Sequence, residues 1–357
     1  MTRRNLRPRS IRAVVAATAL VIAVPVIFAG VASALPTPAP GEGTVHEYAL
    51  PPVSSPADMK PGPDGAMYWT ELTGNHIGRI DPDTKEITRY PVPTPACVPY
   101  AVNGGPGDAV WFSAVGCDSI GRLDMATKEI ELWRIPGLRA YPADLKIGPD
   151  GGIWFTETVG NKISRFDPET HEFEQYPLPD LAAVPMDLAI VDDTYVYFSE
   201  QGANKLGRID VTTHEIDTFP YPTPASQVLD IDPGPKGDGT VWFAQIAGNN
   251  VGWFDPETEQ MTEIPTPSPL AGPFTIAEGA DGGMYYTQIT GGRVARVDPE
   301  TKEITEVPIP SLVSAPGDIA CEKEASTESQ FAPCEPGGSM WFTEVGGSRV
   351  GELEPAA

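Results

Sequence analysis

Positive charge is scarce in this chain. Over 357 residues, 24 Lys and Arg stand against 49 Asp and Glu, a net charge of −25. Phosphate backbones would be repelled, which excludes nucleic acid as a partner. An anionic lipid surface is excluded on the same ground. Cations and neutral or basic small molecules remain compatible, and acidity by itself keeps a protein soluble. Histidine is rarer still, with four in the whole chain. No serine–histidine–acid array, nucleophile elbow or phosphate loop is present. Long apolar runs are missing except for one, at residues 13–30.

That run follows five arginines and no acid in residues 1–12, and Ala32, Ser33 and Ala34 then match the small-residue cleavage pattern of a secretory signal. An uncleaved membrane anchor is the rival reading of the same stretch. Arg3 and Arg4 weakly resemble a twin-arginine signal, and the arginine-rich start with an Ala-Val run looks bacterial. Residues 1–34 are therefore expected to be a signal peptide, 35–43 a flexible leader and 44–357 one folded domain. The expected product is secreted and monomeric, with no membrane insertion once the signal is cleaved. Losing the signal leaves 19 basic against 49 acidic residues.

What is present is a repeat. Two aromatics, a small residue and usually an acid or amide precede a glycine-containing turn, starting at Tyr68, Trp111, Trp154, Tyr197, Trp242, Tyr285 and Trp341. The spacings are 43, 43, 43, 45, 43 and 56 residues. A period in the forties built of short strand-like runs marks a β-propeller, one blade per repeat. The expected fold is all-β, a seven-bladed propeller with four antiparallel strands per blade. In the third copy, Gly-Pro-Asp-Gly, Gly160-Asn161 and Asp-Pro-Glu-Thr punctuate four strands, and the outermost ends in proline, as suits a sheet edge. The last repeat stops after its third strand, and residues 44–51 resemble the missing fourth. An N-terminal strand is thus expected to close the last blade and leave no open edge.

The four cysteines fit that frame. Cys97 opens the first strand of blade two and Cys117 follows its second, while Cys321 ends the first strand of blade seven and Cys334 precedes the second. Of the three possible pairings, Cys97–Cys117 and Cys321–Cys334 avoid bridging distant blades. Neither spacing nor compartment suits a metal site made of these thiols.

First strands line a propeller's axis, and five begin with an aspartate near one mouth: Asp58, Asp144, Asp187, Asp230 and Asp318. Glu71, Glu157, Glu200, Glu344, Gln245 and Gln288 end the second strands toward the same mouth. Converging carboxylates suit a hard cation, Ca²⁺ or Mg²⁺. The competing reading gives these acids a structural task, bonding a backbone turn in each blade or pairing with Arg79, Arg122, Arg165, Arg208 and Arg296. Tyr100, Phe274 and the loop histidine His76 are the candidate ligand contacts on this face. His171 and His214 are expected in solvated rim turns, and His46 in the closing strand.

The core YWTELTGNHIGRIDP from Tyr68, repeated as WFTETVGNKISRFDP from Trp154, resembles the virginiamycin B lyase family over all seven repeats. The resemblance implies a seven-bladed propeller and a Mg²⁺-assisted elimination that opens the ester-linked ring of streptogramin B antibiotics. It also implies two catalytic histidines after the prolines that open the first strands of blades six and seven, where this chain has Phe274 and Gly317. Ala315 and Val345 stand where acids are implied, and Ala57 where a tyrosine is implied, with Tyr100 in the matching place one blade on. The expected function is binding of a small molecule or glycan at the axial mouth. The alternative is a metal-dependent lyase or lactone-type hydrolase that uses the axial aspartates.

Overall fold

The computed structural model describes residues 43–323 and 334–354. The expected signal peptide, all but the last residue of the expected leader and part of the insertion before Cys334 lie outside them. Seven four-stranded antiparallel sheets follow one another. In blade three the strands are Pro142–Ile147, Ile153–Glu157, Lys162–Phe166 and Phe173–Pro177, in that spatial order. The expected closure is present. Thr44–Ala49 pairs antiparallel with Arg349–Glu354, Thr44 opposite Glu354 and Ala49 opposite Arg349, as the outer strand of blade seven. Among the described residues no helix is long and apolar enough to cross a membrane.

The aromatic pair explains why each repeat folds as a blade. Both rings are buried, as with Trp111 and Phe112 or Trp341 and Phe342. Their neighbours come from adjacent blades: Trp154 of blade three packs in one cluster with Leu188, Val196 and Phe198 of blade four. Alternate strand positions point to opposite faces, so each sheet buries one ring of the pair on each side. The second ring needs room over the third strand. At Gly121 a Cβ would sit 2.2 Å from the Phe112 ring, so a side chain there would displace it.

Every first strand carries a register break, between Pro142 and Leu145 in blade three, at the matching place in five others, and between Val228 and Asp230 in blade five. Such a bulge re-aims the extra residue's side chain. Here it aims the aspartate sideways, toward the next blade. The disulfides are Cys97–Cys117 and Cys321–Cys334.

Candidate functional site

The bulge aspartates hold the ring together. Each accepts the backbone N–H one residue past the bulge of the following blade. Asp58 takes Val102 at 2.5 Å, Asp144 Leu188 at 3.1 Å, Asp187 Ile231 at 2.7 Å, Asp230 Ile276 at 2.7 Å and Asp318 Met59 at 2.9 Å. The repeat's small hydroxyl adds a second link. Thr156 accepts the Asp144 N–H at 3.1 Å and donates to the Met186 carbonyl at 3.0 Å. Thr70, Ser113, Ser199, Thr287 and Thr343 make the same reach to the next blade. The structural task is thus real, but its target is the neighbouring first strand, not a turn.

Arg79, Arg122, Arg165, Arg208 and Arg296 do not serve these acids, contrary to the expected pairing. Arg79, Arg165 and Arg296 pair with Asp64, Asp150 and Asp281 of the turns between first and second strands, Arg122 with Asp124, and Arg208 with Asp217 and Glu259. The fourth residue of the repeat motif also turns into its own blade instead of the axis. Glu71 binds Arg89, Glu157 accepts from Gln175 at 2.5 Å, and Gln245 and Gln288 donate to Glu263 and Glu306 at 2.7 Å.

Two lysines supply the axial counter-charge. Lys60 bonds Asp318 and stands 3.4 Å from Asp58; Lys146 lies 2.8 Å from Asp144 and 3.7 Å from Asp187. Burial alone would strip protons from both ammoniums, but the flanking carboxylates hold their pKa values above the ordinary range. Burial pushes Asp144, Asp230 and Asp318 well above the usual carboxylate range, each helped by a neighbouring aspartate, and pushes Asp187 up to about 6. Burial works the same way on Asp58, yet Lys60 beside it wins and holds it low.

One step further along each first strand lies the residue opposite the motif's first aromatic: Lys60, Asn103, Lys146, Ala189, Asp232, Ala277 and Ala320. Small residues in three of the four blades from four to seven leave an axial cavity of about 470 Å³. Lys60, Asn103, Lys146 and Asp232 line it, Glu278 and Lys323 join them, and the Cys321–Cys334 disulfide forms part of the wall. Burial pushes Asp232 up and Lys323 down. The cavity opens where the first strands end, the mouth opposite the one at which the aspartates enter. None of this layer was singled out in the sequence. Its signal is the register: the residue two past each aspartate is the one paired with the motif's first aromatic.

The residues chosen from sequence fall elsewhere. Tyr100 is half-buried just inside the entry mouth, its hydroxyl pKa raised by burial with Tyr141 and Asp58 nearby. Phe274 is half-buried at the start of the first strand of blade six. His76 stays inside blade one, Nδ1 2.5 Å from the Gly74 carbonyl and 4.0 Å from Glu71. None of the three lines the cavity. His171 and His214 are exposed, the first stacked on Phe166 and the second tilted against Tyr176, and His46 meets Glu354 at 3.5 Å. Gly317 is a packing position. A Cβ there would lie 2.6 Å from Thr343 Oγ1, and its carbonyl accepts from Thr275 and Thr287.

A Mg²⁺ ion, which the resemblance implies, does not fit this arrangement. Among the described residues no three His, Cys, Asp or Glu side chains are grouped to hold a metal ion. The axial carboxylates already face N–H donors and ammoniums.

The virginiamycin B lyase family model matches residues 39–238 and 142–332. The chain belongs to the virginiamycin B lyase family. The crystal structure of virginiamycin B lyase from Staphylococcus aureus superposes with a TM-score of 0.78 at 27% identity, covering 88% of this chain and 99% of that one. A catalytically inactive His-to-Ala variant of that enzyme, with quinupristin, matches to the same extent. A streptogramin B lyase structure matches at 25% identity and TM-score 0.78, over 87% of this chain and 97% of that one. Hydrazine synthase of Kuenenia stuttgartiensis, at 14% identity and TM-score 0.67, shares the fold alone. No curated protein sequence matches the chain.

Proposed function

We propose that this family member is a secreted binding protein that holds a small polar molecule in the axial cavity. The cavity carries the reading: about 470 Å³, with donors from Lys60, Asn103 and Lys146 and acceptors from Asp232 and Glu278. That is the size and polarity of a small-molecule site. Among the described residues its lining includes no aromatic ring. Sugar rings pack their C–H faces on such platforms, so an aliphatic polar molecule is favoured over a glycan. The two disulfides support an oxidising, extracellular compartment.

The family's elimination has little support here. A histidine replaced by alanine leaves the Staphylococcus aureus enzyme catalytically inactive. At the two places where the resemblance implies histidines this chain has Phe274 and Gly317, neither of which can carry a proton, and Gly317 has no room for a side chain. The test is a thermal-shift screen of small polar molecules against the protein and its Asp232→Asn variant. A ligand that stabilises the first and loses its effect on the second supports the reading. Incubation with a streptogramin B, followed by chromatography, should return the intact ring; a linear product would overturn the proposal.

A further inference from the structure

Every large apolar side chain that the described chain leaves exposed lies in one kind of loop. Val53, Leu138, Leu181, Leu270, Leu312 and Val313, 57 to 96% exposed, all sit between the outer strand of one blade and the first strand of the next. Those loops share one face, at the entry mouth, so the side chains form a crown around it. The same loops are nearly free of charge. Residues 50–55, 92–98, 135–141, 178–184, 221–227, 266–272 and 309–315 contain only Arg139 and Asp180. On the opposite face, each turn between third and fourth strands opens on an aspartate and carries a glutamate, as Asp81 with Glu86 and Asp298 with Glu303. The net charge of the chain is thus segregated to one side.

From this polarity we infer that the crown face docks on the surface of a lipid bilayer of neutral headgroups. Apolar loop tips inserted at the headgroup boundary gain in proportion to the area they bury. The acidic face then points to water, and any anionic lipid turns it away. A hydrogen-bonding protein partner would find little to grip. The crown loops are rich in proline, and their backbone groups are tied down from within. Asn249 donates to the Ser268 carbonyl and accepts the Ala271 N–H at 2.8 Å, Asn161 does the same for Asp180 and Ala183, and Thr290 bonds the Leu270 carbonyl at 2.5 Å. A loop with its polar backbone already satisfied loses little on leaving water. Protruding tips set round a ring also mismatch a second copy of themselves, whereas lipid deforms to receive each one. Charge averaged over the chain excludes an anionic surface; charge divided between faces leaves a neutral one open.

The experiment places an environment-sensitive fluorophore on Leu181→Cys or on Glu300→Cys of the full chain and adds phosphatidylcholine vesicles. The Leu181 label should shift to the blue and the Glu300 label should not. Adding phosphatidylserine should weaken binding, and salt should restore it, because screening removes the repulsion. The Leu138→Ser/Leu181→Ser/Leu270→Ser variant, with an unchanged melting curve, should bind at least tenfold more weakly. No shift at Leu181, an equal shift at both labels, or attachment through residues 13–30 with both labels unshifted overturns the inference. So does a crown-dependent dimer in solution that ignores vesicles.

Discussion

Glu47 of the closing strand and Glu344 of the second strand in blade seven meet as two carboxyls, where other blades set an acid against an amide or a guanidinium. The matching pairs are Glu71 with Arg89, Glu157 with Gln175, Gln245 with Glu263 and Gln288 with Glu306. Both Glu344 oxygens and Glu47 Oε1 are buried without another hydrogen-bond partner. Burial first, and Glu47 beside it, push the Glu344 pKa up to about 8. A carboxyl buried against a second carboxyl loses more by ionising than one in water, so Glu344 keeps its proton further up the pH scale.

The ring closure should therefore weaken as pH rises. A carboxyl whose folded pKa lies above its unfolded value contributes stability fully below about pH 4.5, and loses it as pH climbs through about 8. Glu200, both oxygens buried without a partner and its pKa raised by burial to about 7, slopes the same way. Glu344→Gln should leave the melting temperature at pH 5 nearly unchanged and raise it by about 2 °C or more at pH 8.5. Equal shifts at both pH values would show that Glu344 does not change protonation between them.

The axial links should matter far more than the rim pairs. Asp318→Ala removes the acceptor of the Met59 N–H and leaves Lys60 with Asp58 as its remaining ion-pair partner in the axis, at the junction of blades seven and one. Breaking a buried pair by deleting one partner costs about 3–5 kcal/mol. Asp281→Ala leaves Arg296 paired with Asp298 at the solvent-exposed rim and should cost under about 1 kcal/mol. Urea unfolding of the two variants measures the contrast, and similar losses would refute the division of labour between axis and rim.

Much of this architecture was legible because the aromatic pair gives every blade the same coordinates. Tyr68 to Trp341 index seven sheets, residues 44–51 resemble the outer strand of the other blades, and the hairpin positions of Cys97 and Cys117 pair them. The site was harder to read for two physical reasons. A bulge breaks the period-two alternation at each aspartate, so Asp58 and its counterparts turn to the next blade's N–H and not to a shared ligand. Lys60, Asn103, Lys146 and Asp232 recur at one register position without recurring in type, so no repeat pattern draws the eye to them. Only the pairing with Tyr68, Trp111, Trp154 and Trp242 shows that they face one cavity.

The disulfide of blade two should be a stabiliser separable from the site. Cys97 and Cys117 are 20 residues apart, and Cys97 is packed in the cluster of Tyr68, Val102 and Phe112. Closing a loop of that size is worth about 3 kcal/mol. The Cys97→Ala/Cys117→Ala variant should lose roughly that much in urea while keeping any ligand response of the axial cavity. Loss of the response with stability retained would mean that the bridge shapes the cavity from a distance.

Divalent cations offer the sharpest test of the axial charge balance. The ammonium of Lys60 bonds Asp318 beside Asp58, and that of Lys146 lies between Asp144 and Asp187, occupying the places a Ca²⁺ or Mg²⁺ ion would need. EDTA and added metal should therefore leave the parent melting temperature unchanged. In Lys146→Met the acids at Asp144 and Asp187 lose their counter-ion, and burial then drives both further toward the neutral form. That variant should be less stable, and Ca²⁺ should restore part of the loss by replacing the missing charge. If Ca²⁺ stabilises the parent as much as the variant, the lysines are not what balances the axis.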